Sequence, residues 1–352
     1  SVLGIAFFLV QALTLGIVLL GMLASGQVEP LEIIPVALLS WSALLSGALL
    51  LPVFILSLHQ LQGKAGPDWL ITGQPAIRKI TKWVILIWPG LVALGWLIVG
   101  SPRLAIFLLG PINILVAGLP VLWIFNTGSR KLTGGSRIRQ WRIFGFSLTV
   151  MPTLVILVEL AAVLVLAVLG GVVLVTQMSA DPGLERELTA LIEQIAASGQ
   201  DVDQVLALLE PYFLQPSVLF LAAAVMGGVM PIIEEVIKPI ALWPLAGREM
   251  TPQEGFVGGL LCGAGFALTE NILYFTIALN AEDWLFMAIG RAGTGVLHML
   301  ASGLVGWGLA KTWRSGKWGA QALLSLGAFL LHGLWNTLAL FVGVAPGALL
   351  DS

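Results

Sequence analysis

Residues 230–239 read MPIIEEVIKP, flanked by LFLAAAVMGGV (219–229) and IALWPLAG (240–247). Two adjacent carboxylates, Glu234 and Glu235, and the ammonium of Lys238 thus sit inside a stretch apolar enough for lipid. About 20 mostly apolar residues make a helix long enough to span a bilayer. A charge at its centre costs roughly 2.5–3.5 kcal/mol on insertion scales. Such groups persist when they pair, face a polar cavity or do chemistry. Reading this stretch as a membrane span decides the fold class and points to a site.

The composition supports that reading. Of 352 residues, 58% are hydrophobic and 10% charged, and mean hydropathy is +0.99. A soluble domain carries about a quarter charged residues. The formal net charge of −2 argues against a nucleic-acid partner. The single cysteine, Cys262, excludes an intrachain disulfide. The opening SVLGIAFFLV has no basic region and no small-residue cleavage site, so it reads as a first span and not as a removable signal peptide.

Working outward, nine candidate spans lie near 3–24, 33–58, 83–99, 104–125, 148–177, 216–246, 255–280, 284–311 and 319–343. The expected fold is an all-α, polytopic membrane helix bundle of about nine transmembrane helices with an external helical hairpin. Loop 59–82 carries Lys64, Arg78, Lys79 and Lys82. Loop 126–147 carries Arg130, Lys131, Arg137, Arg139 and Arg142, and loop 312–318 carries Arg314 and Lys317. The intervening loops are acidic or nearly neutral. By the positive-inside rule this predicts a multi-pass plasma (inner) membrane protein, N-terminus cytoplasmic and C-terminus outside. Trp41, Trp69, Trp83, Trp141, Trp284 and Trp318 lie near span ends or in loops and suit interfacial belts.

The long acidic loop, DPGLERELTALIEQIAASGQDVDQVLALLE (181–210), has helical apolar spacing on both sides of Ser198-Gly199. Asp201 with Gln204 resembles a capping box. Two amphipathic helices outside the membrane are expected. The chain divides into a five-helix membrane region (1–177), the hairpin (178–215), a four-helix membrane core (216–343) and a C-terminal tail (344–352). It shows no internal repeat of the kind that marks inverted-repeat transporters.

The last four spans hold the unusual polar residues. Glu234, Glu235 and Lys238 lie in the sixth; Glu270 and Asn271, in GFALTENILYF, lie in the seventh. His298, in GVLHMLASG, lies in the eighth, and His332 and Asn336, in LLHGLWNTL, lie in the ninth. A rise of 1.5 Å per residue puts Glu235, Glu270, His298 and His332 about 18–22 Å from the cytoplasmic ends, in one layer. Residues i and i+4 share a helix face. That spacing pairs Glu234 with Lys238, Phe266 with Glu270, His298 with Ser302, and His332 with Asn336. Pro231, Pro239 and Pro244 should interrupt the sixth span. Glycines in the seventh and eighth permit close packing.

A carboxylate in such a layer can serve as general base or acid. The imidazoles, Asn336 or Asn271 can donate to a developing oxyanion. The same layer could hold a divalent metal such as zinc, among Glu235, Glu270, His298 and His332. No HExxH pair is present, so spacing does not demand a metal. Glu159 and Arg291 are also intramembrane and read as structural, Arg291 snorkelling to the outer interface.

These motifs resemble a known family. EEVIK resembles the EExxK motif of the PrsW-type intramembrane proteases, FALTEN resembles their FxxxEN motif, and LHMLASGLVG and LLHGLWN resemble their two His-bearing helices. The resemblance covers roughly residues 225–343. It extends to the CAAX protease superfamily, from which this chain departs by having Lys238 and Glu270 where that group has Arg one position on and His. The resemblance implies a glutamate-dependent membrane protease with Glu234, Glu235, Glu270, His298 and His332 at its core. The expected function is endoproteolysis of membrane proteins or lipid-anchored peptides within the bilayer. The alternatives from the residues alone are a transporter or proton relay using the same acids, and a non-enzymatic membrane scaffold.

Overall fold

The computed structural model describes residues 2–67, 70, 75–199, 201–248 and 250–350. Trp69 and the side chains of Arg78, Lys79 and Lys82 lie outside the described residues, as do residues 351–352. The described residues form α1 (Val2–Ser25), α2 (Pro30–Leu61), α3 (Pro75–Val99), α4 (Pro102–Gly128), α5 (Arg137–Ala180), α6 (Pro182–Ala197), α7 (Val202–Phe213), α8 (Pro216–Leu245), α9 (Pro252–Phe275), α10 (Ala281–Ser315) and α11 (Gly319–Leu350). No strand occurs among them.

Eight of these helices are long and apolar enough to cross a membrane: α1, α2, α4, α5, α8, α9, α10 and α11. The third expected span falls in α3, which runs from Pro75 to Val99. The protein is a multi-pass, all-α membrane protein.

Local chemistry sets the helix starts. Pro30, Pro75, Pro102, Pro182, Pro216 and Pro252 each open a helix, where the missing N–H costs nothing and φ is already helical. Thr251 and Glu254 form a reciprocal capping box at α9: Thr251 Oγ1 accepts from the Glu254 N–H, and Glu254 Oε2 accepts from the Thr251 N–H at 2.9 Å. Asn280 caps α10 by accepting from the Asp283 N–H at 2.8 Å, and Gly316, at φ 68°, ends that helix in the left-handed conformation.

The chain forms two compact units. The first comprises Ser1–Thr153 and Glu235–His332; the second comprises Leu154–Glu234 and Gly333–Ser352. In the first, α9 and α10 pack backbone to backbone. A Cβ on Gly263 would strike the carbonyl of His298; one on Gly259 would strike that of Ser302; one on Gly255 would strike that of Gly306. Steps of four along α9 thus meet steps of four along α10, running the opposite way. This register fixes His298 and Ser302 against the wall of α9. Around the pair, Thr269 Oγ1 of α9 donates to the Leu148 carbonyl of α5 at 2.8 Å.

Trp284 departs from the expected interfacial role. It is fully buried in a core cluster with Ile112, Val116, Ile272 and Phe275, and its indole N–H donates to Asn113 Oδ1 at 2.9 Å. Gly95 leaves room for the ring, since a Cβ there would overlap it. A buried indole needs an acceptor, and Asn113 supplies one inside the bundle.

In the second unit, α6 and α7 form the expected hairpin, broken at Ser198. Asp181 caps α6 through Gly183 N–H (2.8 Å), and Asp201 accepts from Gln204 N–H at 3.2 Å. Tyr212 donates its hydroxyl to Glu187 Oε1 at 3.1 Å, which raises the phenol pKa. Gly227 of α8 and Gly333 of α11 lie in direct backbone contact.

The α9–α10 contact leads to a sharp expectation. Gly263→Val should cost about 1–3 kcal/mol or more, because a backbone carbonyl cannot move aside as a side chain can. Gly290→Ala, where nothing lies within 4 Å of the added carbon, should stay within about 0.5 kcal/mol of the parent. Thermal unfolding of the two variants in detergent measures the contrast.

Candidate active site

The interrupted helix α8 prepares the site. Its residues pass from α-helix (Pro216–Ala224) to a π turn (Val225–Val229), back to α-helix (Met230–Ile237), then to 3₁₀ (Lys238–Leu245). Pro231 would clash with the carbonyl four residues back, which belongs to Gly227 within the π turn. Pro239 and Pro244 fall in the 3₁₀ segment. The sequence places helix breaks on both sides of Glu234 and Glu235, and the structure has them there. Leu242, fully buried, seats the 3₁₀ segment against Gly258 of α9.

This change of pitch brings a second acid into reach of Lys238. A four-residue spacing matches Lys238 to Glu234. In the structure Lys238 Nζ donates to Glu235 Oε1 at 2.8 Å, three residues back. The 3₁₀ turn has three residues per turn and brings i and i+3 into line. Glu234 is buried at the preceding position of α8.

From Lys238 a chain of hydrogen bonds runs through the first unit. Lys238 Nζ lies 2.8 Å from His298 Nδ1. An ammonium has donors only, so Nδ1 accepts, and the ring carries its hydrogen on Nε2. That nitrogen donates to Glu270 Oε2 at 2.7 Å. Glu270 in turn is ion-paired with Arg291. On the other side, Glu235 Oε1 also accepts from His332 Nδ1 at 3.0 Å, and Glu235 Oε2 accepts from Ser302 Oγ at 3.3 Å. The order is Arg291, Glu270, His298, Lys238, Glu235, His332. Two acids are matched by two cations.

Aromatic edges hold the rings and the ammonium. Phe266 meets His298 edge to face at 5.2 Å, and Lys238 Nζ lies 4.3 Å from the Phe266 ring centre. The rings of His298 and His332 are 4.8 Å apart, nearly perpendicular. Glu235, Lys238, His298 and His332 are all buried, whereas the Glu270 side chain keeps 21% of its exposure.

The expected layer is thus brought together for Glu235, Glu270, His298 and His332, with Lys238, Phe266 and Ser302 around them. Asn271 is adjacent: its Oδ1 accepts from Arg291 Nε at 2.7 Å. Asn336, one turn beyond His332 in α11, donates to the Met226 carbonyl of the π turn at 3.0 Å. Arg291 was expected to snorkel outward; instead it closes on Glu270 and Asn271 and stacks on Tyr274, 4.4 Å from the ring centre. Its signal in the sequence is its position seven residues before His298, two turns back on the same face of α10.

The donor set suits a divalent cation. One carboxylate or imidazole atom from each of Glu235, His298 and His332 lies within 4.8 Å of the others, all buried. Two imidazoles and a carboxylate are a ligand set that catalytic zinc uses. Lys238 Nζ now occupies two of these donors, Glu235 Oε1 and His298 Nδ1, so a metal there would have to displace the ammonium.

These features define a multi-pass helical membrane protein with a buried cluster of acids, imidazoles and ammonium. Residues 159–350, more than half of the chain, match the family described as PrsW family intramembrane metalloprotease, and the chain belongs to that family. It is a membrane protease. No curated protein and no solved structure matches it.

Removing one partner of a buried ion pair leaves the other uncompensated, at a cost of about 3–5 kcal/mol. Lys238→Met should therefore lower stability by that order. Adding Glu235→Gln to it should recover part of the loss, a coupling that a double-mutant cycle of unfolding free energies in detergent measures.

Proposed function

We propose that the protein is an intramembrane endopeptidase in which Glu270 activates the attacking water. The observation that carries this reading is the accessibility of Glu270. It is the half-buried carboxylate of a hydrogen-bonded chain whose other members, apart from Arg291, are sealed from solvent.

In this mechanism Glu270 accepts a proton from water as the water oxygen bonds to the scissile carbonyl carbon. The carbonyl oxygen becomes an oxyanion, which the Arg291 guanidinium stabilises. Collapse breaks the C–N bond, and the proton held by Glu270 passes to the departing amine. His298 is a positioning residue: gripped by Lys238 at Nδ1, it directs its Nε2–H at Glu270 and holds that carboxylate in place. Glu235 anchors Lys238 and His332 and is itself held by the Ser302 hydroxyl. Glu234, next to Glu235 in α8, belongs to the same layer. Asn336 secures the π turn of α8 through Met226.

Where a divalent metal is bound, Glu235, His298 and His332 would hold it. It would supply Lewis-acid polarisation of the carbonyl and a more acidic water.

The substrates are membrane proteins or lipid-anchored peptides, since the layer lies within helices that only a chain in or at the bilayer can reach. The basic loops 126–147 and 312–318 are cytoplasmic in this reading, with the N-terminus inside and the C-terminus outside a plasma (inner) membrane.

Glu270→Gln keeps the size of the side chain and removes the base. It should lower cleavage of a membrane substrate by roughly 10²–10⁴-fold while the purified variant melts as a folded protein. Turnover equal to the parent would reject the mechanism. It would also favour a reading in which the acids serve a non-proteolytic membrane function.

A further inference from the structure

Two adjoining cavities of the first unit are not used by the catalytic chain. One, of about 180 Å³, lies under the basic loop between α4 and α5 and is lined by Asn126, Ser129, Arg130, Arg137 and Gln140 among others. The second, of about 350 Å³, descends between apolar walls that include Leu45 and Leu49 of α2, Leu122 of α4, Phe144 of α5, and Leu261 and Leu268 of α9. The two adjoin: Phe125, Asn126, Arg137 and Gln140 line both.

Among the described residues no carboxylate lines either cavity. The nearby acid, Glu254, is engaged by Arg139 at 2.7 Å. The Arg137 guanidinium donates to the neutral Gln140 Oε1 at 3.3 Å. A basic, hydrogen-bonding head chamber therefore opens onto a greasy tail chamber, at the level where a basic loop meets apolar helix. That is the profile of one molecule: a negative, oxygen-rich head on a hydrocarbon chain. A soluble anion would leave the lower chamber unfilled, and a zwitterionic lipid would bring a second cation against Arg130 and Arg137.

We propose that this double cavity is a specific site for an anionic glycerophospholipid. Its phosphate lies with Arg130 and Arg137, and one acyl chain runs down the groove to α9. Basic residues at a membrane surface attract anionic lipid, and here the groove adds a shape requirement. Because the groove wall includes the α9 residues Leu261, Ala264 and Leu268, the lipid braces the helix that carries Glu270 against α2, α4 and α5.

The test uses the full chain purified in neutral detergent and native mass spectrometry, with phosphatidylglycerol and phosphatidylcholine of identical acyl chains as probes. The parent should retain phosphatidylglycerol at least on the order of tenfold better than phosphatidylcholine. Arg130→Gln/Arg137→Gln should abolish that preference, and Arg130→Lys/Arg137→Lys should keep most of it. Gly118 lines the groove, and a Cβ there makes only ordinary contact, 3.8 Å from Leu268. Gly118→Leu should therefore fill the groove and weaken retention of phosphatidylglycerol severalfold, without touching the arginines. Equal retention of the two lipids by the parent overturns the proposal. So does undiminished phosphatidylglycerol binding in Gly118→Leu, a result that stays informative even where the arginine variants fail to fold. Complete displacement of the lipid by millimolar inorganic phosphate would assign the head chamber to a free anion and overturn it as well.

Discussion

The arrangement depends on one ammonium in a place where water cannot solvate it. Lys238 is fully buried, with its nitrogen 2.8 Å from Glu235 Oε1 and 2.8 Å from His298 Nδ1. An uncompensated charge at that depth costs several kcal/mol. The surroundings answer it with a carboxylate, an imidazole lone pair and the face of Phe266. Each partner is then bound to further polar groups, so the cost of one charge recruits the whole chain from Arg291 to His332. Along that chain Glu235 and Glu270 are matched by Lys238 and Arg291, which makes it tolerable inside a bilayer-spanning bundle. Glu270 is where it opens.

The geometry that makes this closure work is set by absences of side chains. Gly255, Gly259 and Gly263 let α9 and α10 touch through their backbones. In lipid, helices gain nothing by hiding apolar side chains from one another, and close backbone packing is a principal source of association. The same contact that holds the pair therefore fixes where His298 stands relative to Glu270. The 3₁₀ end of α8 does the matching work for Glu235 and Lys238. It rotates the lysine onto the second glutamate and seats Leu242 against Gly258.

Much of this was legible in the sequence because hydrocarbon is an unforgiving solvent. Long apolar runs with few charges have no stable alternative to helices, and Glu235, Glu270, His298 and His332 stood out against that background at one depth. What was not legible depended on local pitch and on neighbours distant in the chain. The bond from Lys238 to Glu235 depends on the 3₁₀ turn at Pro239 and Pro244, which brings i and i+3 into line. Arg291 sits near an expected helix end, where snorkelling is the ordinary outcome; only the fold shows that Glu270 and Asn271 lie within its reach. Trp284 resembled an interfacial tryptophan by position, and its pocket required Gly95 and Asn113, more than 170 residues away in sequence.

The order of hydrogen bonds can be read directly from the histidines, of which the chain has three. His59 donates from Nδ1 to the Ala65 carbonyl and His332 from Nδ1 to Glu235. His298 must accept at Nδ1 and donate from Nε2. Nitrogen-15 spectra of histidine-labelled protein in detergent micelles at neutral pH distinguish these tautomers. The account predicts that His298 alone is a neutral ring protonated on Nε2, and that its Nδ1 resonance shifts when Lys238 is replaced by Met. A His298 ring protonated on Nδ1, or a resonance indifferent to Lys238→Met, would contradict it.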